Sequence, residues 1–129
     1  MRPFDRERRG EALAEAACSL ILESRAHAEA RGAQILGTVL SCGASSVAGR
    51  DGVADEAEAV YLAGRAALDR AGVSAADLGH VNACAAGNPQ RDRYEALGLR
   101  KLLGAAADSV PVTAVKSYIG SSGSGASLV

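Results

Sequence analysis

At 129 residues, with 48% hydrophobic and 22% charged side chains, the chain has the size and composition of one globular domain with a single core, which argues against disorder. Its formal net charge is -1 with acids and bases interspersed, so it lacks the electrostatic footprint expected of a nucleic-acid or anionic-membrane binder. The opening MRPFDRERRG is charged and no apolar run approaches the ~20 residues of a spanning helix, which argues against a signal peptide or membrane anchor and for a cytosolic protein.

In chain order, ACSLILE (17–23) predicts a short strand, and SRAHAEARGA after it a helix closed by Gly32. QILGTVLSCGASSV, with Ile35, Val39 and Leu40 among small residues, predicts a strand buried on both faces, ended by the Gly/Ser cluster from Gly43 to Gly52. Asp55 and Glu56 then precede the clearest helix, where Val60, Ala63, Ala67, Leu68 and Ala71 fall on one face. A turn on Gly72 and a Ser-initiated helical turn lead into HVNACA, a brief strand that GNPQ breaks. RDRYEALGLRKLLG predicts a second amphipathic helix stopped by Gly104, and VPVTAV another buried strand. The alternation implies an α/β layer architecture. With aromatic content of 3%, its core has to be assembled from Ala, Val, Leu and Ile, and is correspondingly thin.

Cys18, Cys42 and Cys84 are widely spaced without a CxxC pair, so buried reduced thiols are expected rather than disulfides or a zinc site. His27 and His80 are the only imidazoles and are expected at the surface or at helix ends. The run from Asp5 to Arg9 is expected to be a solvated loop. The closing stretch VKSYIGSSGSGASLV fails as a phosphate loop, because Lys116 precedes the glycines, and as a dinucleotide fingerprint, because the spacing is wrong. A flexible Gly/Ser tail remains the plain alternative.

Taken in order, RPFDRERRG, LILESRAHAEARGAQILGTVLSCGASS, DRAGVSAADLGHVNA, GNPQRDRYEA and VPVTAVKSYIG resemble the β-ketoacyl synthases across essentially the whole chain. The resemblance implies a partial thiolase-like α/β fold, with residues 1–34 ending the first half and 35–129 beginning the second. It implies acyl transfer onto malonyl-carrier protein by a Cys-His-His site, with the phosphopantetheine arm of acyl carrier protein as substrate carrier and no cofactor or metal of the enzyme's own. The implied partners are a ketosynthase-like subunit, in a homo- or heterodimer, and acyl carrier protein. The segment with the nucleophilic Cys would lie before Met1.

Against the family's Asn-Ala-His-Gly-Thr-Gly-Thr-Pro, this chain has Asn82, Ala83, Cys84, Ala85, Ala86, Gly87, Asn88 and Pro89. The first family histidine therefore falls on Cys84, and the two pantetheine-facing threonines fall on Ala86 and Asn88. The family's Lys-Ser-x-x-Gly-His becomes Lys116 to Ser121, so the second histidine falls on Ser121. Asn82, Gly87, Asp92, Glu95, Lys116 and Gly120 keep the pattern. Gly-Phe-x-x-Gly-Glu-Gly becomes Gly10 to Ala16, with Ala14 and Ala16 strained if those positions need positive φ.

Three functions stay open on this reading. The chain is a non-catalytic partner comparable to chain-length factors, one part of a split synthase, or a truncated remnant. Cys84, flanked by Ala83, Ala85 and Ala86, is expected to be an inert small residue, since apolar surroundings suppress the thiolate. Lys116 is expected to be a solvated or paired lysine as readily as a catalytic one. The Gly/Ser run is expected to turn into a buried helix, with Leu128 and Val129 as its first apolar contacts.

Overall fold

The computed structural model describes residues 1–49 and 51–123. Among the described residues four α-helices and two short strands form: α1 (Arg25–Ala30), α2 (Glu56–Ala71), β1 (Val81–Asn82), α3 (Pro89–Leu103), β2 (Val112–Thr113) and α4 (Lys116–Ile119). The two strands pair in parallel, Val81 opposite Val112, with α3 as the crossover between them.

Local chemistry sets the helix ends. Ser24 caps α1 by accepting from the His27 backbone N–H, and Gly32 at φ 66° ends its last turn. The Asp55 side chain accepts from Glu58 N–H at 2.9 Å, and Gly72 at φ 66° closes α2. Ser74 and Asp77 form a capping box on the turn before β1. Asn88 Oδ1 accepts from the N–H groups of Gln90 and Arg91, so α3 begins at Pro89, earlier than expected. GNPQ ends the strand but also starts the helix, because proline's missing N–H costs nothing in the first turn.

α2 and α3 pack closely where small residues face the partner helix. A Cβ on Gly98 would stand 2.6 Å from the Ala57 carbonyl oxygen and 2.7 Å from Val60 Cβ. One on Gly64 would meet Leu102 Cδ2 at 2.4 Å. At the rim of this pair Lys101 Nζ reaches Glu58 at 2.5 Å and lies 4.1 Å from the Tyr61 ring centroid. The hydrogen bond that Lys101 donates to the Glu58 carboxylate raises the pKa of its ammonium above the ordinary lysine value. Gly98→Ala is expected to lower stability by about 1–3 kcal/mol, because backbone must move. Gly64→Ala is expected to cost less, because a leucine methyl swings aside and alanine returns about 1 kcal/mol of helix propensity. Thermal loss of helical ellipticity for the two variants checks the ranking.

Several expectations need correction. The expected strand at 17–23 does not form, and Leu20, Ile21 and Leu22 are exposed. Neither does the strand expected within QILGTVLSCGASSV, where Leu36, Val39 and Leu40 are exposed. The physical reason is shared: among the described residues no backbone ladder reaches 17–23 or 34–46, and Val47 alone, at the end of the second segment, accepts from the Asp55 N–H beside the Ala48–Ala54 bridge. Residues 41–43 lean instead on the end of α2, where Ser41 Oγ donates to the Ala67 carbonyl at 2.6 Å and Arg70 to the Cys42 carbonyl at 2.7 Å. β2 is exposed rather than buried, for want of a further sheet neighbour among the described residues. All three thiols are exposed, not buried. Among the described residues the buried apolar ones are Ala28, Ala85, Ala86, Leu103 and Val110, the thin core that the composition foretold. The expected helix after the Gly/Ser run, with Leu128 and Val129, lies outside the described residues.

Candidate functional site

Parallel pairing sends the C-terminal ends of β1 and β2 out on the same side of the sheet, the end at which open α/β sheets gather their loops. The ladder continues past β1, with Ala83 N–H donating to the Thr113 carbonyl at 2.9 Å. Residues 84–88 after β1 and Lys116 after β2 are thereby brought together.

Glu95, on α3, holds the first of these loops. Its Oε1 accepts from the Cys84 N–H at 2.6 Å and its Oε2 from the Ala85 N–H at 2.8 Å, so one carboxylate satisfies two successive loop donors. Ala85 is fully buried at φ 47°, a left-handed conformation costing an alanine about 1–2 kcal/mol. The strain suspected at Ala14 and Ala16 is absent, since neither has positive φ; among the described non-glycine residues positive φ falls on Phe4 and Ala85 instead. Across the gap, Lys116 Nζ donates to Cys84 Sγ at 3.3 Å. The surroundings of Cys84 are thus not purely apolar: its thiol is exposed and has an ammonium in contact, because Lys116 arrives from the second strand end, remote in sequence.

The N-terminal segment stitches the two loops from below. Gly10 N–H donates to the Gly87 carbonyl at 2.9 Å, while Ser121 N–H donates to Ala12 and Ala14 N–H to Ser121. Gly87 at φ 73° and Gly120 at φ 77° allow these approaches, since a Cβ would stand 2.7 Å from the Gly10 carbonyl oxygen and 2.7 Å from Ala14 Cβ respectively. Asp92 is 1% exposed; its Oδ2 accepts from Phe4 N–H at 2.9 Å and lies 3.5 Å from Arg8 Nε. Arg8 also donates to the Pro89 carbonyl at 2.7 Å. The expected solvated loop is therefore tied to α3 through Arg8, whose side chain is 18% exposed. The signal for that lay in Asp92, a motif carboxylate that needs a partner once buried.

Of the residues singled out in sequence, Cys84, Glu95 and Lys116 form one polar cluster. Ser121 is buried, and both its peptide groups are occupied, its N–H donating to the Ala12 carbonyl and its carbonyl accepting from the Ala14 N–H. Ala86 is buried without a hydroxyl, and Asn88 Oδ1 is engaged in capping α3. Asn82 is exposed on β1, and His27 and His80 are exposed. Among the described residues, no group of three or more His, Cys, Asp or Glu is placed to hold a metal, and no helix is long and apolar enough to cross a membrane.

Comparison with known proteins gives this geometry its context. The family model described as "Beta-ketoacyl synthase, C-terminal domain" matches residues 33–129. An oxytetracycline polyketide protein of Streptomyces rimosus, named as a β-ketoacyl synthase 1, is 40% identical over 126 residues, covering 94% of this chain and 29% of its own length. Nodulation protein E of Rhizobium sp. (strain N33) is 36% identical over 116 residues, covering 90% of this chain and 29% of its own. Among solved structures, a type II polyketide acyl-carrier protein in complex with its ketosynthase bound to the hexaketide aligns with TM-score 0.85 and 29% identity over 98% of this chain and 31% of that one. The ishigamide ketosynthase/chain length factor aligns with TM-score 0.78 and 34% identity over the same shares. The chain spans about three-tenths of the length of the curated relatives it matches.

Proposed function

The chain belongs to the β-ketoacyl synthase family and has a partial thiolase-like fold, and on that footing we propose that it is a non-condensing, chain-length-factor-like component of polyketide or fatty acid assembly. It works by packing on a ketosynthase-like body that supplies the rest of the fold. Residues 1–34 and 35–129 then straddle the junction between the two halves of that fold, and acyl carrier protein is the partner that the assembled body meets.

The observation that carries this is surface area. A folded monomer of 13.0 kDa exposes about 6,300 Å², whereas this chain exposes 9142 Å². The difference, roughly 2,800 Å², is about three and a half times what each partner contributes to a standard stable interface. Leu20, Ile21, Leu22, Leu36, Val39 and Leu40, on the two apolar segments where the expected strands do not form, are all exposed. The non-condensing reading is supported by two features: by the motif resemblance Cys84 and Ser121 take the places of the family's imidazoles, and Lys116 and Glu95 hydrogen-bond neither His27 nor His80. Enolate stabilisation by imidazole therefore has no source in this cluster.

Two measurements test the proposal. The chain alone, given acyl- and malonyl-carrier protein, is expected to release no carbon dioxide above background, and turnover would refute the non-condensing role. Mixed with a ketosynthase polypeptide carrying the complementary part of the fold, it is expected to elute as one stable complex that remains inactive. Condensation by that complex would identify it as one part of a split enzyme instead.

A further inference from the structure

We propose that Cys84 is an acyl-accepting nucleophile that takes an acyl group from a small thioester, with Lys116 as its electrostatic partner. The proposal stands on local geometry and does not depend on the partner role above.

Three observations converge on this thiol. Its sulfur is exposed, and its neighbours Ala83, Ala85 and Ala86 place nothing larger than a methyl group beside it. Lys116 Nζ lies 3.3 Å away and, among the described residues, makes no salt bridge to a carboxylate, so its charge is directed at the sulfur. An ammonium at this distance stabilises the negative charge that develops as a sulfur nucleophile attacks a carbonyl carbon. The peptide carrying Cys84 is also fixed, because Glu95 holds its N–H and the next one. Cys18 and Cys42 are exposed too, yet their sulfurs make no hydrogen bond among the described residues.

A thioester suits this site because exchange with a thiol replaces one C–S bond by another and needs no metal, redox partner or energy source. Cys84 Sγ attacks the carbonyl carbon and forms the new C–Sγ bond while the bond to the departing sulfur breaks. The proton lost from Cys84 ends on the leaving thiolate, giving acyl-Cys84 and a free thiol. With Nζ so close, the acyl group then has a second resting place. Once its ammonium has given one proton to solvent water, Lys116 attacks the thioester carbonyl carbon, the amide C–N bond forms as C–Sγ breaks, and a second amine proton passes to the departing sulfur.

The probe is the acetyl thioester of N-acetylcysteamine, applied to the full chain, with acetylated peptides mapped by mass spectrometry. Cys84 is expected to acetylate about tenfold faster than Cys18 and Cys42, and hydroxylamine to remove that label. In concentrated urea the three rates should converge. Lys116→Met should bring Cys84 down to the rate of the other two thiols, and Lys116→Arg should retain most of the excess. Label recovered on Lys116 supports the proposal if Cys84→Ser abolishes it. Equal labelling of all three thiols in the unmodified chain, an excess that persists in urea or in Lys116→Met, or acetyl-Lys116 forming in Cys84→Ser would each overturn it.

Discussion

In urea, the purified chain is expected to lose its far-ultraviolet ellipticity over a broad range, with a slope below about 1 kcal/mol/M. A domain of this size ordinarily gives about 1–3 kcal/mol/M, because the slope scales with the surface exposed on unfolding. Here much of that surface is exposed already: the chain presents 9142 Å², and Leu20, Ile21, Leu22, Leu36, Val39 and Leu40 lie on it. Among the described residues five small or medium apolar side chains are buried, and at about 1.5–3 kcal/mol for each larger one they offset little of the conformational entropy lost on folding. The α2–α3 pair, with Lys101 bridging to Glu58, is expected to be the last element to melt. Addition of a complementary ketosynthase segment should sharpen the transition and move it to higher urea, since a partner that binds only the folded form stabilises by mass action. A steep single transition for the isolated chain would instead show that 129 residues close their own core and would remove the main support for a partner-dependent role.

What was legible in the sequence divides along the same line. α1, α2 and the body of α3 could be read because their determinants are local: Ser24 and Gly32, Asp55 and Gly72, and the apolar spacing between them. The start of α3 was missed because a proline reads as a strand breaker until its place in a first helical turn is considered. The strands at 17–23 and in QILGTVLSCGASSV were called for by residue type, but a strand exists only by pairing, and no partner for either is among the described residues. Family membership was legible from the succession of motifs, and the match over residues 33–129 establishes it. The chemistry around Cys84 was not, because its ammonium neighbour is 32 positions away and is delivered by the register of Val81 on Val112. Arg8 was hidden for a similar reason, its partners Asp92 and Pro89 lying on α3.

Glu95→Ala is expected to raise the exchange rate of the Cys84 and Ala85 amide hydrogens by about a hundredfold while leaving the helical signal of α3 nearly unchanged. Hydrogen bonds to a charged group contribute about 1.5–3 kcal/mol each. Partial exposure of the carboxylate brings the pair to about 3 kcal/mol, and each 1.4 kcal/mol is about tenfold in an equilibrium. The helix itself gains from the substitution, since alanine has the highest helix propensity, so a general loss of α3 would not explain the result. Glu95→Gln keeps one acceptor oxygen and should give about a tenfold rise. The buried Ala85 amide is the sharper reporter: once its acceptor is gone, the left-handed strain at φ 47° has nothing holding it in place. Loosening at residues 84–85 should then let Cys84 drift from Lys116, and the excess reactivity of that thiol toward acetyl thioester should fall in Glu95→Ala. If both amides exchange as slowly in Glu95→Ala as in the parent chain, the carboxylate is not what holds this loop, and the fixed placement of the thiol needs another cause.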